Sequence, residues 1–525
     1  MTGEGFGTMR LRALLAAFVA ASSFALAAPA AAQDTLRIRL NADIRSTDPG
    51  VNRDANTDGL VWHVLEGLVA LRADASVAPM LAERVEVSED GRTYTFPLRQ
   101  GVRFHNGQPL TSADVAFAMQ RYMRRETNWR CRPDLDSAVT RITAVETPDE
   151  RTVVIRLEQP SALFLTMLAR PDCGQTGVWH RESLNADGTW RAPIGTGPFR
   201  LGEWRRGQFI ELTRFDGYAA LPGTPDGLAG NKAPMVERVR FTVIPDDAAA
   251  RAALLAGNID ILPDARSRDL PELRQRPGIS IHSAASMDLQ VLLMQTRDPL
   301  LQDVRMRRAI ALALDVPELV RAVSEGTSRP SRAPIPVSSS FFTPAMADVP
   351  ARDLAQARRL AAEAGYRGQR LRIVTTRRYE AFYEIAVLVQ DMLRDAGIES
   401  ELEVLEWATQ LDRYTRGDYQ MMAFGFSARL DPSLSFEMFT GPKATQPRKA
   451  WDNPEVQAML EQTMRETDAN RRRATFEAMH RRLLEEVPIV ALYSSVTHGV
   501  TPRHVQGFGS WAVDAPRAWG VRIQR

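Results

Sequence analysis

The sequence predicts an α/β or α+β protein that is built from more than one lobe. Strand-like and helix-like patterns alternate along the chain, and no segment repeats at a fixed period, which argues against a solenoid. The chain has 525 residues, 44% of them hydrophobic and 25% charged, which is an ordinary globular composition. A chain of this length exceeds one simple core and implies about two to four lobes. Of the two classes, we expect α/β.

The first half of the chain carries mostly strand patterns. In 92–98 apolar and polar residues alternate, as in a half-buried strand. Thr111 with Asp114 three residues later predicts a capping-box start of a helix. Further strands are predicted at 152–157, 210–213 and 239–244. The stretch 221–234 is rich in Gly, Pro and Asp and predicts a surface excursion.

The second half is richer in helices. They are predicted at 304–314, 354–364, 381–396, 454–467 and 472–484. Gly365 and Gly397 directly follow two of these helices, where a C-cap in the left-handed conformation is expected. Asp315, two residues before Pro317, suits the N-cap of another helix. Strands are predicted between the helices at 371–375, 398–404 and 421–424. This alternation predicts a second α/β lobe.

The N-terminal segment predicts export. Arg10 and Arg12 precede an uncharged, mostly apolar stretch at 13–28, and Ala30-Ala31-Ala32 has the form of a signal peptidase site. The stretch is shorter than the roughly 20 apolar residues of a membrane span. We therefore expect a periplasmic protein whose signal peptide is cleaved after Ala32, with an uncleaved N-terminal anchor as the alternative.

Cys131 and Cys173 are the only two cysteines. Neither is near the cleavage point, so no thiol is available there for a lipid anchor, and the mature protein is expected to be free of one. Export to an oxidising compartment favours a disulfide between them, with two free buried thiols as the alternative. Two cysteines are too few for a zinc site of four thiolates.

No catalytic motif is complete. The formal net charge of +2 argues against a nucleic-acid-binding protein. Residues 230–233 lack the Gly-Lys-Ser/Thr ending of a phosphate loop, and 425–429 has Arg where a nucleophile elbow needs its closing Gly. The seven histidines have no zinc-hydrolase spacing. We therefore predict no catalytic residues, no metal site and no cofactor.

A series of ordered motifs runs through nearly the whole mature chain. They are Gly-Val-Arg-Phe-His-Asn-Gly at 101–107, Gly-Thr-Gly-Pro-Phe at 195–199, Gly-Asn-Ile-Asp at 257–260, and the segments 81–83, 87–91, 94–96, 98–99, 111–117, 303–315, 362–366 and 486–493. Together they resemble the signature of family 5 solute-binding proteins, the extracytoplasmic receptors of peptide and nickel ABC importers. Within these motifs, His105 is expected to be a packed or hydrogen-bonded residue and 195–198 a tight turn.

The resemblance implies a two-lobed, type II periplasmic-binding-protein fold that closes by a hinge. Its lobe I would comprise 33–72, 193–284 and 495–525, with a large extra subdomain at 73–192, and its lobe II would be 285–494.

The same resemblance implies the function. The protein would be the substrate-binding protein of an ABC transporter, expected to be monomeric, which captures peptides or related amino-acid conjugates and delivers them to the permease transmembrane subunits. The alternatives are a receptor for nickel chelates, opines or another small acidic solute, more remotely heme, and an exported enzyme on the same scaffold.

The resemblance places a cleft-lining stretch at 407–432, which ends in Asp431-Pro432. Arg429 stands near the position where oligopeptide receptors carry an acid that binds the peptide amine, so simple amine recognition is in doubt. A cleft-facing arginine suits a solute carboxylate, and the alternatives are an inter-lobe or local salt bridge and free exposure. Asp431 could bind a solute amine or could cap the loop.

Four further residues are candidates for contact with the solute. Trp407 and Phe426 would form apolar walls, or else belong to the core. Arg378 and Tyr379 follow the strand predicted to end at 375 and are weaker candidates.

Overall fold

The computed structural model describes residues 35–51, 54–137, 139–513 and 515–524. The predicted signal peptide lies outside these residues. Within the described chain, no helix has the length and apolar character needed to cross a membrane. The fold mixes helices and strands throughout.

The strands are β1 (Thr35–Leu40), β2 (Val69–Leu71), β3 (Val77–Pro79), β4 (Glu86–Val87), β5 (Thr93–Pro97), β6 (Ile142–Asp149), β7 (Thr152–Leu157), β8 (Phe199–Arg205), β9 (Phe209–Arg214), β10 (Pro225–Asp226), β11 (Ala229–Gly230), β12 (Arg238–Val243), β13 (Ile279–Ala285), β14 (Leu289–Met294), β15 (Leu371–Thr375), β16 (Ser400–Val404), β17 (Met421–Phe426), β18 (Ile489–Tyr493), β19 (Val496–Pro502), β20 (Val505–Gln506) and β21 (Arg522–Ile523).

The helices are α1 (Ala55–Val61), α2 (Ser112–Met123), α3 (Arg132–Leu135), α4 (Phe164–Leu168), α5 (Asp247–Leu255), α6 (Leu270–Arg274), α7 (Val304–Ala313), α8 (Val316–Val323), α9 (Leu354–Glu363), α10 (Glu380–Asp395), α11 (Trp407–Arg416), α12 (Pro432–Glu437), α13 (Pro454–Arg465) and α14 (Ala469–Glu486). The elements predicted from sequence are confirmed within a few residues at each end.

The first lobe contains two four-stranded sheets that share one apolar core. One sheet has the order β1-β12-β9-β8, with β1 parallel to β12, and the other has the antiparallel order β4-β5-β7-β6. Ile38 and Phe241 from the first sheet and Phe96 and Tyr122 from the second region belong to the same buried cluster. The region around the second sheet is therefore packed onto the first lobe.

The second lobe is a five-stranded sheet with helices on both faces. Its order is β16-β15-β17-β14-β18, and β15 runs parallel to both β16 and β17. Ile373 and Ile385 belong to the core on one face, where α7 and α10 lie. Val374, Phe424 and Phe476 belong to the core on the other face, beside α14.

Two antiparallel strands carry the chain between the lobes. β13 leads into β14, β18 leads back into β19, and β13 pairs with β19 along its whole length. At the crossing, Ser495 donates to Asp288 from its backbone N at 2.7 Å and from its Oγ at 2.6 Å. This tie supports our proposal that the lobe boundaries lie at 284/285 and 494/495.

Several local predictions are confirmed. The Thr111 backbone N donates to Asp114 Oδ2 at 3.0 Å, which completes the capping box of α2. Asp315 caps α8 by accepting from the Glu318 backbone. Gly365 and Gly397 have φ of +83° and +75°, the left-handed conformation in which a glycine carries no Cβ penalty.

The predicted surface excursion at 221–234 is wrong for its second half. Leu228 and Lys232 are fully buried, and the Lys232 ammonium lies 3.5 Å from the carboxylate of Glu66, which is itself 1% exposed. The local composition is that of a solvated loop. It does not reveal the burial of Lys232, because the partner Glu66 is remote in sequence.

Cys131 and Cys173 are paired in a disulfide, with Cα atoms 5.9 Å apart, and both residues are buried. We expect the exported protein to show no alkylated cysteine after iodoacetamide treatment under denaturing, non-reducing conditions, and two after reduction. Intact-mass measurement counts the added groups. Two alkylated cysteines without reduction would reject the disulfide.

Candidate functional site

The residues predicted to line the cleft follow three neighbouring parallel strands. The carboxyl ends of β15, β16 and β17 lie at one edge of the second-lobe sheet because β15 pairs in parallel with the other two. Arg378 and Tyr379 follow β15, Trp407 follows β16, and Arg429 follows β17. Ligands of open α/β sheets bind at the carboxyl ends of the strands.

A cavity of about 440 Å³ lies between the start of α10, which follows β15, and the first lobe. None of the six residues predicted to contact the solute lines it. Its first-lobe wall is 264–268, which follows the parallel pairing of Ile261 with Ile38 in β1. Its second-lobe wall includes residues between 322 and 325 and between 380 and 384, and the crossing residues 495–498 complete it. The volume falls in the range of small-molecule sites, roughly 300–1,000 Å³.

Two larger hollows of about 600 Å³ each lie elsewhere. One lies between the turn at 89–91 and helix α13, and the other lies on the first lobe around 149–152. Neither joins the strand ends of the two lobes. Position relative to the strand ends, rather than volume, therefore identifies the 440 Å³ cavity as the candidate solute site.

A group of aromatic side chains lies at the second-lobe edge. Tyr379 packs edge-on against Trp407 with ring centroids 4.9 Å apart, and Trp407 stacks on Phe424 at 5.8 Å. Tyr379 is 42% exposed and Trp407 is half-buried, so both present apolar surface. Phe426 is only 4% exposed and packs against Phe424, which assigns it to the core and not to the cleft wall.

Arg429 is half-buried and has no carboxylate within 4.0 Å among the described residues. Its Nη1 donates to Ser427 Oγ at 2.9 Å, and its Nε lies 3.2 Å from Met438 Sδ. Burial, followed by the charge of Arg170, lowers the pKa of Arg429, while Asp172 acts in the opposite direction. Nη1 also donates to the backbone oxygens of Ser427 and Ala428 at 3.2 and 3.1 Å, so Nη2 is the guanidinium nitrogen that makes no hydrogen bond within the described chain.

Asp431 is fully engaged within the protein. It is 3% exposed, and both of its oxygens accept from Arg472 Nη2 at 2.7 Å. Its Oδ1 also accepts from the Ser433 backbone N at 2.9 Å as the N-cap of α12. We therefore assign Asp431 the role of N-cap of α12 and not that of a ligand for a solute amine.

Arg378 lies on the exposed rim of the edge. Its guanidinium carbon lies 5.7 Å from the centre of the Tyr379 ring, and its backbone N donates to Thr376 Oγ1 at 3.2 Å.

The second-lobe wall of the cavity is acidic, which the sequence analysis missed. Glu325, Glu380 and Glu384 line it, and none of them forms an ion pair within the described chain. Burial, followed by the charges of Glu380 and Glu325, raises the pKa of Glu384. The only sequence signal was a pair of acids one turn apart in α10, which is too common to stand out. Arg268 lines the opposite wall.

The one group of potential metal ligands and His105 are both structural. Within the described residues, the single close group of potential metal ligands is Cys131, Asp172 and Cys173, and both sulfurs are consumed by the disulfide. His105 is buried, its Nε2 lies 3.0 Å from Gly197 O, and its Nδ1 accepts from the Gly195 backbone N at 3.3 Å. The predicted packing of His105 is confirmed.

The two lobes, the paired crossing strands and the cavity between the strand ends define a binding protein that holds a small molecule between its lobes. A family model described as "Bacterial extracellular solute-binding proteins, family 5 Middle" matches residues 76–447. The chain belongs to this family, as the motifs suggested.

Similarity to known proteins extends over nearly the whole chain. The probable D,D-dipeptide-binding periplasmic protein of Escherichia coli (strain K12) is 26% identical over 514 residues, which cover 95% of this chain and 96% of that protein. The oligopeptide-binding protein of Bacillus subtilis (strain 168) is 23% identical over 511 residues, or 90% of each chain. The solved structure of HbpA2 from Haemophilus parasuis has a TM-score of 0.83 at 24% identity and covers 94% of this chain and all of that one.

These findings confirm three predictions. The fold is the two-lobed periplasmic-binding-protein fold. The protein is the extracytoplasmic solute-binding component of an ABC transporter. Family members are receptors, so the protein is not an enzyme.

Proposed function

We propose that this receptor captures a peptide or a related amino-acid conjugate in the inter-lobe cavity and delivers it to the transmembrane subunits of its permease. The observation that carries the proposal is the cavity of about 440 Å³ at the carboxyl ends of parallel strands from both lobes. The similarity to a dipeptide-binding and an oligopeptide-binding protein supports the peptide class. We further propose that the protein acts as a monomer, without a lipid anchor, after cleavage behind Ala32.

The charges around the cleft suggest the polarity of the solute. Arg429 would attract a solute carboxylate and donate to it from Nη2. Tyr379 and Trp407 would pack against an apolar side chain. Glu380 and Glu384, on the second-lobe wall, would face a positively charged group of the same solute. A zwitterionic peptide satisfies all three.

Identification of the bound solute tests the proposal. The exported protein is purified without refolding and denatured, and the released small molecules are identified by mass spectrometry. A peptide or amino-acid conjugate is the expected result. A metal chelate or an opine would overturn the peptide assignment in favour of the alternative receptors. If nothing is released, calorimetric titration with di- and tripeptides decides the question, and no detectable binding would contradict the proposal.

Replacing Arg429 with alanine is expected to weaken peptide binding by about 2 kcal/mol, or roughly 30-fold in Kd. This is the lower end of the range for removing one partner of a buried charge pair, because the side chain is only half-buried. Isothermal titration calorimetry measures the change.

Arg416→Ala is the matched control, because Arg416 lies on the same lobe, is exposed and pairs only with Asp412 on its own helix. Its binding should equal that of the wild type, and both variants should unfold at the wild-type temperature. Unchanged affinity of Arg429→Ala would remove Arg429 from the site.

A further inference from the structure

Arg332 is a buried cation without a partner. It is 3% exposed, and within the described chain it makes no ion pair, side-chain hydrogen bond or aromatic contact, while its Nε is fully sealed from solvent. The other buried arginines are satisfied: Arg39 pairs with two carboxylates, Arg307 donates to backbone carbonyls, and Arg472 pairs with Asp431. Arg332 therefore differs from all of them.

Further unpartnered polar atoms lie in the same region of the second lobe. Arg332 follows Pro330, which pairs with Tyr493 at the end of β18. His480 on α14 is 2% exposed, and neither ring nitrogen has a hydrogen-bond partner. Thr343, which precedes a turn that packs on α14, has a buried Oγ1 without a partner.

Arg332 and His480 flank one buried cluster, because Ala333, next to Arg332, and Met479, next to His480, both belong to it. Burial, followed by the charge of Arg332, lowers the pKa of His480 to about 4, so the ring is neutral near pH 7 and carries one N–H donor. Burial alone lowers the pKa of Arg332 to about 10, because no carboxylate lies close enough to oppose it.

An isolated buried charge is costly. Native proteins hydrogen-bond nearly all buried polar groups and pair buried charges. A neutral guest such as water can satisfy hydrogen bonds, but it does not compensate a permanent positive charge as an anion does. A planar guanidinium matches the oxygens of a tetrahedral oxyanion in a two-pronged contact.

We propose that Arg332 and His480 form an internal binding site for a small oxyanion, such as inorganic phosphate or sulfate, between the segment at 330–346 and helix α14. Arg332 supplies the charge and two N–H donors, and the neutral imidazole of His480 supplies a third donor. Thr343 Oγ1 can supply a fourth. The anion then links this segment to α14 and stabilises the second lobe independently of the solute.

Phosphate-dependent thermal unfolding tests the site. The mature protein is melted in gluconate buffer at constant ionic strength while inorganic phosphate replaces gluconate. We expect a saturable rise of the wild-type midpoint by about 2–4 °C. Arg332→Met should abolish the rise, and His480→Leu should reduce it.

Two variants separate this site from others. Arg481→Met removes an exposed charge next to His480 and should keep the full response, which controls for surface screening. Arg429→Met should also keep it, because the solute site is separate. A wild-type midpoint independent of phosphate, or an equal rise in Arg332→Met, would overturn the proposal. If Arg332→Met does not fold, an undiminished response in His480→Leu overturns it.

Discussion

Replacing Lys232 with methionine is expected to lower the free energy of unfolding by about 3–5 kcal/mol, because it leaves a buried carboxylate without its cation. The Lys232 ammonium donates to Trp62 O at 3.0 Å and lies 4.5 Å from the centre of the Trp519 ring. Its partner Glu66 is 1% exposed and accepts hydrogen bonds from Thr196 and Tyr218 at 3.0 and 2.8 Å. These neutral donors do not replace the lost charge.

Urea unfolding followed by circular dichroism measures the loss. The control is the double variant Lys232→Met with Glu66→Gln, in which the charge is removed on both sides and the amide oxygen still accepts from Thr196 or Tyr218. Replacing a buried ion pair as a unit costs much less than breaking it, so the double variant should recover at least half of the loss. A double variant as unstable as the single one would show that packing, not charge, explains the effect.

Lys232 also shows where sequence reasoning reaches its limit. The chain has 66 basic residues, of which only Lys232, Lys443 and Lys449 are lysines, and all three are buried. The composition around 221–234 indicates a solvated loop. The partner that buries Lys232 lies 166 residues earlier in the chain, and no local pattern records such a pairing.

The fold was predictable where periodicity or caps mark the elements. The half-buried strand β5, the capped helices α2 and α8 and the glycine-terminated helices α9 and α10 all follow from local rules. The strands β14 and β18 were missed because all their residues are buried. Such strands are continuous apolar runs that periodicity does not distinguish from buried helix.

The candidate site was predictable only in part. Trp407, Tyr379 and Arg429 stay predictions, made because they follow strands and the resemblance marks the loop; none of the three lines the 440 Å³ cavity. The acidic wall of Glu325 and Glu384 was missed because Glu325 lies just after α8 and Glu384 lies in α10, distant in sequence, and only the packing of the lobe brings them to one cavity. The role of Asp431 depended on its pairing with Arg472, 41 residues further along the chain.

Acidification below pH 6.5 is expected to destabilise the protein strongly through His63. This residue is fully buried beside the rings of Trp519 and Phe241. Its Nε2 accepts from the Ala518 backbone N at 3.0 Å, so its Nδ1 carries the proton and donates to Gly59 O at 2.9 Å. The neutral imidazole therefore fits this site. A second proton would have to bind Nε2, whose lone pair already accepts the hydrogen bond from Ala518.

Burial, followed by the charge of Lys232, lowers the pKa of His63 from 6.5 to about 3. Below pH 6.5 the unfolded chain therefore binds a proton that the folded chain does not, and stability falls as pH falls toward 3. The full loss is about 5 kcal/mol, at about 1.4 kcal/mol per pH unit. Asp58 acts in the opposite direction, because burial raises its pKa to about 7 and its contribution is lost as pH rises from about 4.

The difference between the wild type and His63→Gln isolates this contribution from that of Asp58. Free energies of unfolding are measured with urea between pH 6.5 and 4.5. On acidification, the free energy of unfolding of His63→Gln should fall less steeply than that of the wild type, by about 1.4 kcal/mol per pH unit, the slope that corresponds to one proton. His504→Gln, at an exposed position, should keep the wild-type slope. Since Lys232 and His63 share contact with Trp519 and the charge of Lys232 lowers the pKa of His63, Lys232→Met should also raise the pKa of His63. The acid loss should then still begin near pH 6.5 but end at a higher pH, so that its total is smaller. Equal slopes for the wild type and His63→Gln would mean that His63 accepts a proton in the folded state, contrary to its two backbone hydrogen bonds.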